Sequence, residues 1–439
     1  MTIVVLGVVA LLLAGALTLR LRTFCALAVF LLAFLNVVNY SPFGWLASGI
    51  RVGHARLPIL LLALGWLLAS RGGRMAAVAL RNGDVTAFAA WAVICSIDAA
   101  YPEPALLYSA WLACCVVLMM GMLDLLAPGG DAVAVTARVF VAAYLFPLAL
   151  GLVNLPAYLA GAGRLAAALD VDQIHAWAAA VIIGAVLALS QLPAGRRTAA
   201  GRLFSTAGAL LLALALVDLL LSGTRSALIA ATATGIVYAL ANWRRSNNLM
   251  RLVLVAVVGL VVARSAIGTT TMQRYTRFFV ERELTTGDAV RVKLLNAHLD
   301  FALRKPVFGG GLISAAQEVG EENWELQGLS PHNSYVGLLS ATGFVGAFLF
   351  LTIAFRSTVV LFRERALRPH RSAIMLLMVP PLVMSLFEWN ITPGQALFFP
   401  FWLALLLPRF ASPPAPAPAP YAAPATPPGA RHEPVPTHA

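Results

Sequence analysis

A lone histidine, His332, stands where a long polar stretch meets an apolar run, in the segment Ser330-Pro331-His332-Asn333-Ser334-Tyr335. Two isolated arginines precede it, Arg225 in Ser222-Gly223-Thr224-Arg225-Ser226 and Arg291 in a charged stretch further on. A neutral imidazole can take a proton from a hydroxyl near neutral pH. A guanidinium stays charged and grips phosphate oxygens with a planar fork. A base and an anion clamp together suit group transfer from a phosphorylated donor. Each residue has a structural alternative. His332 could cap the helix that follows, and Arg225 could anchor a helix end or pair with Asp218, since an arginine near a helix end can snorkel to the interface. His298 is a rival base, with a solvated or supporting role as its alternative. Asn333, Arg51, His54 and Arg56 are further polar candidates, the last three reading first as a basic anchor flanking a span and second as a phosphate or acceptor contact.

Elements must position these groups, and composition says what kind. Of 439 residues, 60% are hydrophobic and 11% charged, against about 25% charged in an ordinary soluble domain. With a mean hydropathy of +0.84, the chain reads as an all-α polytopic integral membrane protein. The net charge of +12 would suit nucleic acid, but the arginines fall in short turns between apolar runs, which is the distribution of cytoplasmic loops. Nucleic acid is therefore excluded as a partner, and membrane lipids are expected instead. Cys25, Cys95, Cys114 and Cys115 lie in apolar runs without metal-type spacing and read as small core residues. Met1 to Leu19 lacks a basic leader and a small-residue cleavage site, so it reads as a retained span.

A span needs roughly 20 apolar residues. Candidates are 3–19, 23–39, 57–70, 85–100, 105–126, 138–160, 174–192, 203–221, 226–242, 251–268, 332–355, 373–389 and 394–410, giving twelve or thirteen helices. Turns rich in arginine, such as Arg71 to Arg81, Arg196 to Arg202, Arg244 to Arg251 and Arg356 to Arg371, are expected inside. The turns at Tyr101-Pro102-Glu103-Pro104, Asp170 to Gln173, Ser222 to Ser226 and Glu388 to Gly394, with the stretch 269–331, are expected outside. The N-terminal orientation stays open, because the arginine count of the first turn and the parity of the helix count disagree. The organisation is thus 1–268 spanning helices, 269–331 an external loop with short helices, 332–410 spanning helices, and 411–439 a disordered Pro/Ala-rich tail.

Within the loop, Gly287-Asp288 supplies a break and a cap, and Val292, Leu295, Leu299 and Ala302 recur at helical spacing, predicting a helix from about Asp288 to Arg304 that Pro306 stops. Arg291 then sits in its first turn, where a cation opposes the helix dipole and an anion would compensate. Gly309-Gly310-Gly311 lets backbone approach a ligand or another helix closely, without the lysine and helix of a P-loop. Glu318, Glu321, Glu322 and Glu325 lack a matching ligand set, so they read as solvating the loop and no metal or other cofactor is expected.

Taken together, Leu221-Ser222-Gly223-Thr224-Arg225-Ser226-Ala227, Arg291 leading through Lys305-Pro306-Val307-Phe308-Gly309-Gly310-Gly311, and Pro331-His332-Asn333-Ser334-Tyr335 with Gly343-Phe344-Val345-Gly346 resemble the O-antigen ligase and polymerase superfamily. The motif-bearing part covers roughly 203–355. No single motif is specific; their order, shared membrane face and the loop between them carry the likeness, and the chain's size and single moderate loop resemble the ligases most.

The resemblance implies a GT-C-like glycosyltransferase of the bacterial inner membrane with its active site facing the periplasm. Its donor would be an undecaprenyl-pyrophosphate-linked glycan and its acceptor a lipid A-core hydroxyl. His332 would be the base, and Arg225 and Arg291 would hold the pyrophosphate, without metal and with inversion at the anomeric carbon. Asn333, His298, Arg51 and Arg56 would support them. The alternatives are a polymerase using the same donor, a protein O-oligosaccharyltransferase, and a transporter. A transporter would be expected to concentrate charge near the midplane of interrupted helices, whereas the distinctive charges here gather at one face.

Overall fold

The computed structural model describes residues 19–39, 52–153, 174–192, 199–222, 224–242, 287–327, 329–393 and 395–411. The expected spans 3–19 and 251–268, the first part of the loop, Arg51 and the tail beyond Ala411 lie outside these residues. Among the described residues there are thirteen α-helices, three short 3₁₀ turns and no strand. They are α1 (Leu21–Asn39), α2 (Val52–Arg81), α3 (Gly83–Ile97), α4 (Pro102–Leu126), α5 (Ala132–Val153), α6 (Ile174–Ser190), α7 (Ala199–Ser222), α8 (Arg225–Ala241), α9 (Gly287–Arg304), α10 (Ser314–Glu322), α11 (Ser334–Arg363), α12 (Arg371–Met384) and α13 (Phe398–Phe410).

Four helical stretches, Arg56–Arg81, Pro102–Leu126, Ala132–Val153 and Ser334–Arg363, are long and apolar enough to cross a membrane, and seven more apolar helices are shorter. The chain is thus a multi-pass membrane protein. Two expected spans need correction. The 57–70 run continues to Arg81 and changes direction at Arg71, where φ is −144° and ψ 21°. The 373–389 run stops as a helix at Met384, and the residues after it form a loop that turns back on α11.

Side-chain contacts sort the helix ends into two sets. At one end, Asn36 of α1 donates to the Gln395 carbonyl at 3.3 Å, and Tyr144 of α5 donates to the Ala396 carbonyl. Seven residues further along α5, a Cβ on Gly151 would meet Asp218 of α7 at 2.4 Å and His175 of α6 at 2.8 Å. That fixes the end of α7, and Arg225 follows it by only three residues beyond Ser222. The start of α11 joins the same end, because the Ser334 N–H donates to the Ser385 carbonyl at 2.8 Å. At the opposite end Asp124 pairs with Arg74 and Arg81, and Asp84 pairs with Arg356 and with Arg409, whose side chain is buried. Among the described residues, the arginine-rich helix ends with Arg74 and Arg81 and with Arg356 and Arg409 thus collect at one end of the bundle, and Arg225, His332 and the loop after α12 at the other.

The helix that carries the site is broken on purpose. At Gly343 of α11, φ is 64° and ψ −173°, a conformation essentially reserved for glycine. The break frees carbonyls that a membrane helix cannot leave bare. Gly310 N–H donates to Ser340 at 2.9 Å and Gly311 N–H to Ala341 at 2.8 Å, while the Trp91 indole donates to Thr342 at 2.9 Å. In return Phe344 N–H donates to the Pro306 carbonyl at 2.7 Å, and Phe308 stacks on Trp91 with ring centroids 5.2 Å apart. Gly309-Gly310-Gly311 therefore serves the closer approach of a loop to a helix. Beyond the break, Phe344, Phe348, Leu351 and Phe355 are exposed at helical spacing and give α11 an outward apolar face suited to lipid.

Candidate functional site

The start of α11 is built from its own polar residues. Asn333 occupies the N-cap, and its side-chain oxygen accepts from the N–H groups of Tyr335 and Val336, both at 3.0 Å, satisfying two donors that the first turn leaves open. Its amide nitrogen donates to the Leu386 carbonyl at 2.9 Å. Ser334 Oγ donates to the Glu388 carbonyl at 2.6 Å and accepts from Asn390 N–H at 2.8 Å. Trp389 lies so close over Gly337 that a Cβ there would meet its ring at 2.1 Å. The loop after α12 is thus stapled to the helix that follows His332.

His332 itself is not the cap. It stands just before the cap with φ at +44°, the left-handed region that a non-glycine residue adopts at about 1–3 kcal/mol when its surroundings demand it. Its side chain is 35% exposed, and Nδ1 lies 3.5 Å from Oε2 of Glu388, whose own side chain is 8% exposed. Sequence reasoning placed Glu388 in an outward turn but gave it no chemistry. A lone acid in a turn poor in charge was the available signal, and nothing in its spacing from His332 marks the pair.

His298 is placed differently from His332. It is buried at 1% exposure, its Nδ1 lies 2.8 Å from Ser340 Oγ, and its Nε2 has no hydrogen-bond partner. Burial lowers its pKa from 6.5 to about 4, because the charged imidazolium is poorly solvated there. It lines a cavity of about 70 Å³ with Ser330, Pro331, Gly337, Ser340 and Trp389, directly beneath the turn that carries His332. The expectation of a solvated histidine does not fit this placement, since a ring at 1% exposure is shut away from water.

Arg291 belongs to α9, which starts at Gly287. It is the fifth residue rather than one in the first turn, so the dipole argument for a compensating anion weakens. Two contacts give its level. His298 of α9 meets Ser340 of α11, and Pro306 meets Phe344, so the two segments advance in the same sense. Arg291 lies seven residues before His298, about 10 Å along the helix, and His332 lies eight before Ser340. Both thus precede one anchor in the same sense on neighbouring elements. Arg291 is half-buried and has no ion pair or hydrogen bond among the described residues.

Arg225 is the first residue of α8, preceded by Thr224 in an extended conformation. The turn is set by Ser222, whose Oγ donates to the Leu219 carbonyl at 2.8 Å and accepts from Thr224 N–H at 3.2 Å. The side chain is half-buried, with Nη2 shut away from solvent. An anion beside it would also meet the open N–H groups of a helix N-terminus. Arg56 is buried at the same end, donating to the Leu35 carbonyl at 3.4 Å with its guanidinium over the Trp111 ring, so it ties α1, α2 and α4 together. The side chain of His54 lies outside the description.

Glu318, Glu321, Glu322 and Glu325 each have a partner. Glu318 pairs with Lys305 at 2.6 Å, Glu325 with Lys293 at 2.9 Å, and Glu322 with Arg304. Tyr101 donates to Glu321. Arg304 beside Glu322 holds that carboxyl below its ordinary range, and these contacts tie α10 and the turn after it to α9 and to the turn between α3 and α4.

Residues 209–351 match the family model described as O-antigen ligase, a segment that runs from α7 through the break in α11 and takes in Arg225, Arg291, His298, His332 and Asn333. No curated protein matches the chain.

Proposed function

We propose, from the match of residues 209–351 to the O-antigen ligase family model, that this protein transfers a glycan from undecaprenyl pyrophosphate to a lipid A-core sugar hydroxyl at the periplasmic face of the inner membrane. The enzyme is GT-C-like, spans the bilayer about twelve times, and works without a metal. What supports the reading is that a partly exposed imidazole, His332, and the Arg225 helix start lie at the end of the bundle opposite the described arginine-rich turns, while Arg291 belongs to α9, which packs on α11.

In this mechanism Arg225 and Arg291 bind the pyrophosphate and stabilise the charge it gains on leaving. A preorganised donor of this kind is worth about 3–4 kcal/mol to the transition state. His332 removes the proton from the acceptor hydroxyl as that oxygen attacks the anomeric carbon, and a single displacement inverts it. Energy comes from the lipid-pyrophosphate bond, so no nucleotide is needed. Polymerisation would use the same donor chemistry with a second lipid-linked chain as acceptor. A deletion strain separates the two: complete polymer left on the lipid carrier indicates a ligase, and core bearing one repeat indicates a polymerase.

The direct test compares donor binding and single-turnover transfer in folded, purified variants. His332→Ala is expected to bind donor normally and to transfer at least about 10²-fold more slowly. Arg225→Lys and Arg291→Lys keep the charge but lose the fork, so both affinity and turnover should fall. Transfer by His332→Ala at the wild-type rate would overturn the base assignment and direct attention to His298.

A further inference from the structure

We propose that Glu388 is the positioning residue for His332, holding the imidazole with its proton on Nδ1 and its lone pair on Nε2. This rests on the reading of His332 as the base and extends it to a residue outside the family-matched segment 209–351.

Three observations carry the proposal. The first is that the carboxylate is enclosed, with 8% of its side chain exposed, and His332 is its one ion-pair partner among the described residues. An enclosed carboxylate needs such a partner, because an uncompensated buried charge is strongly destabilising. The second is that backbone fixes the approach: Ser334 binds the Ser385 and Glu388 carbonyls, Asn390 N–H binds Ser334 Oγ, and Asn333 binds the Leu386 carbonyl. The third is the orientation of the ring. Its Nδ1 edge is shut off from solvent although the side chain is 35% exposed, so the exposure lies on the opposite edge, where an acceptor hydroxyl can arrive. The φ of +44° at His332 is the backbone strain that sets this orientation.

An ionised carboxylate only accepts hydrogen bonds, so a proton shared between the two groups sits on Nδ1. The 3.5 Å separation is longer than a hydrogen bond, as catalytic contacts often are before the substrate complex forms. During transfer the hydroxyl proton passes to Nε2, the oxygen's electron pair forms the bond to the anomeric carbon, and the bond to the pyrophosphate oxygen breaks with its pair leaving on the pyrophosphate. Glu388 stays ionised throughout and faces the imidazolium, as the carboxylate of a hydrolase triad does.

The test is Glu388→Gln, which leaves the backbone carbonyl that holds Ser334 in place. Turnover is expected to fall about 10- to 100-fold, as when other carboxylates that orient a functional histidine are replaced. That is short of the about 10⁴-fold seen in a fully buried triad, because a ring that is 35% exposed can recruit water to Nδ1. KM for donor and acceptor should hold, and Glu388→Asp should recover part of the rate. In a His332→Ala background, Glu388→Gln should cause no further loss. Wild-type turnover in Glu388→Gln, or a further loss in the His332→Ala background, would overturn the proposal while leaving the base reading intact. An active His332→Ala would overturn the base reading and this proposal with it. If Glu388→Gln does not purify folded, ¹⁵N-histidine NMR of the wild-type protein decides: a neutral His332 protonated on Nδ1 supports the pairing, and one protonated on Nε2 refutes it.

Discussion

Replacing Gly343 with alanine should loosen the joint between the polar loop and α11, and its size can be worked from the contacts there. Gly343 sits at φ 64° and ψ −173°, where a side-chain-bearing residue is strained by about 1–3 kcal/mol. An added Cβ would stand 2.2 Å from the Val307 carbonyl oxygen and 2.7 Å from that of Pro306, so backbone has to move. The movement puts at risk the Phe344 to Pro306 bond of 2.7 Å, and a buried group left without its partner costs about another 1–3 kcal/mol. The sum, roughly 2–6 kcal/mol, is a large part of a typical folding stability. At about 2.1 cal/mol/K of unfolding entropy per residue over 439 residues, the melting temperature in detergent should fall by about 2–7 °C. Because the joint ties the segment that carries Arg291 to the helix that follows His332, turnover should fall as well even where the protein is fully folded. Thermal melts and single-turnover transfer measure both. A Gly343→Ala protein with unchanged melting and unchanged turnover would refute the view that this break registers the two halves of the site.

Three further outcomes are expected. His298 takes its proton near pH 6.5 when unfolded but only near pH 4 when folded, so the unfolded chain holds more protons across that window and stability falls as pH drops from 6.5 towards 4. The contribution amounts to roughly 3 kcal/mol, and the slope of melting temperature against pH should flatten in His298→Gln; an identical slope in both proteins would contradict it. Transfer by the purified protein should persist in excess EDTA, since the reading gives the guanidinium groups of Arg225 and Arg291 the role of the cation; activity lost on chelation and restored by a divalent ion would end that assignment. With Cys25, Cys95, Cys114 and Cys115 replaced, a cysteine at exposed Gln327 should react with an impermeant maleimide in spheroplasts and one at exposed Arg365 should not, and the reverse pattern would invert the topology.

Much of the scaffold could be read from local patterns. The apolar runs at 105–126 and 174–192 end within a few residues of α4 and α6, and the helix expected from Asp288 to Arg304 begins one residue early and stops short of Pro306. Helix interiors and their stops depend on neighbours a turn away, so a window of sequence contains their causes. The isolated His332, Arg225 and Arg291 were conspicuous for a similar reason, since a polar side chain amid apolar residues needs an explanation whatever it touches.

Other features depend on residues far apart in the chain. Glu388 meets His332 only because Ser334 and Asn333 staple the end of α12 to the start of α11. Gly343 needs its positive φ only because Pro306 and Gly310 come to its freed backbone. His298 is buried and neutral rather than solvated because α11 lies over it. The acidic loop residues look free in sequence yet pair with Lys293, Arg304 and Lys305. Composition determined that this chain enters a membrane, and continuous apolar runs of about 20 residues, rather than short alternating ones, make its spans helices that satisfy their own backbone groups. The partner of each polar side chain was decided by tertiary packing, because burial and proximity arise only when distant helices meet.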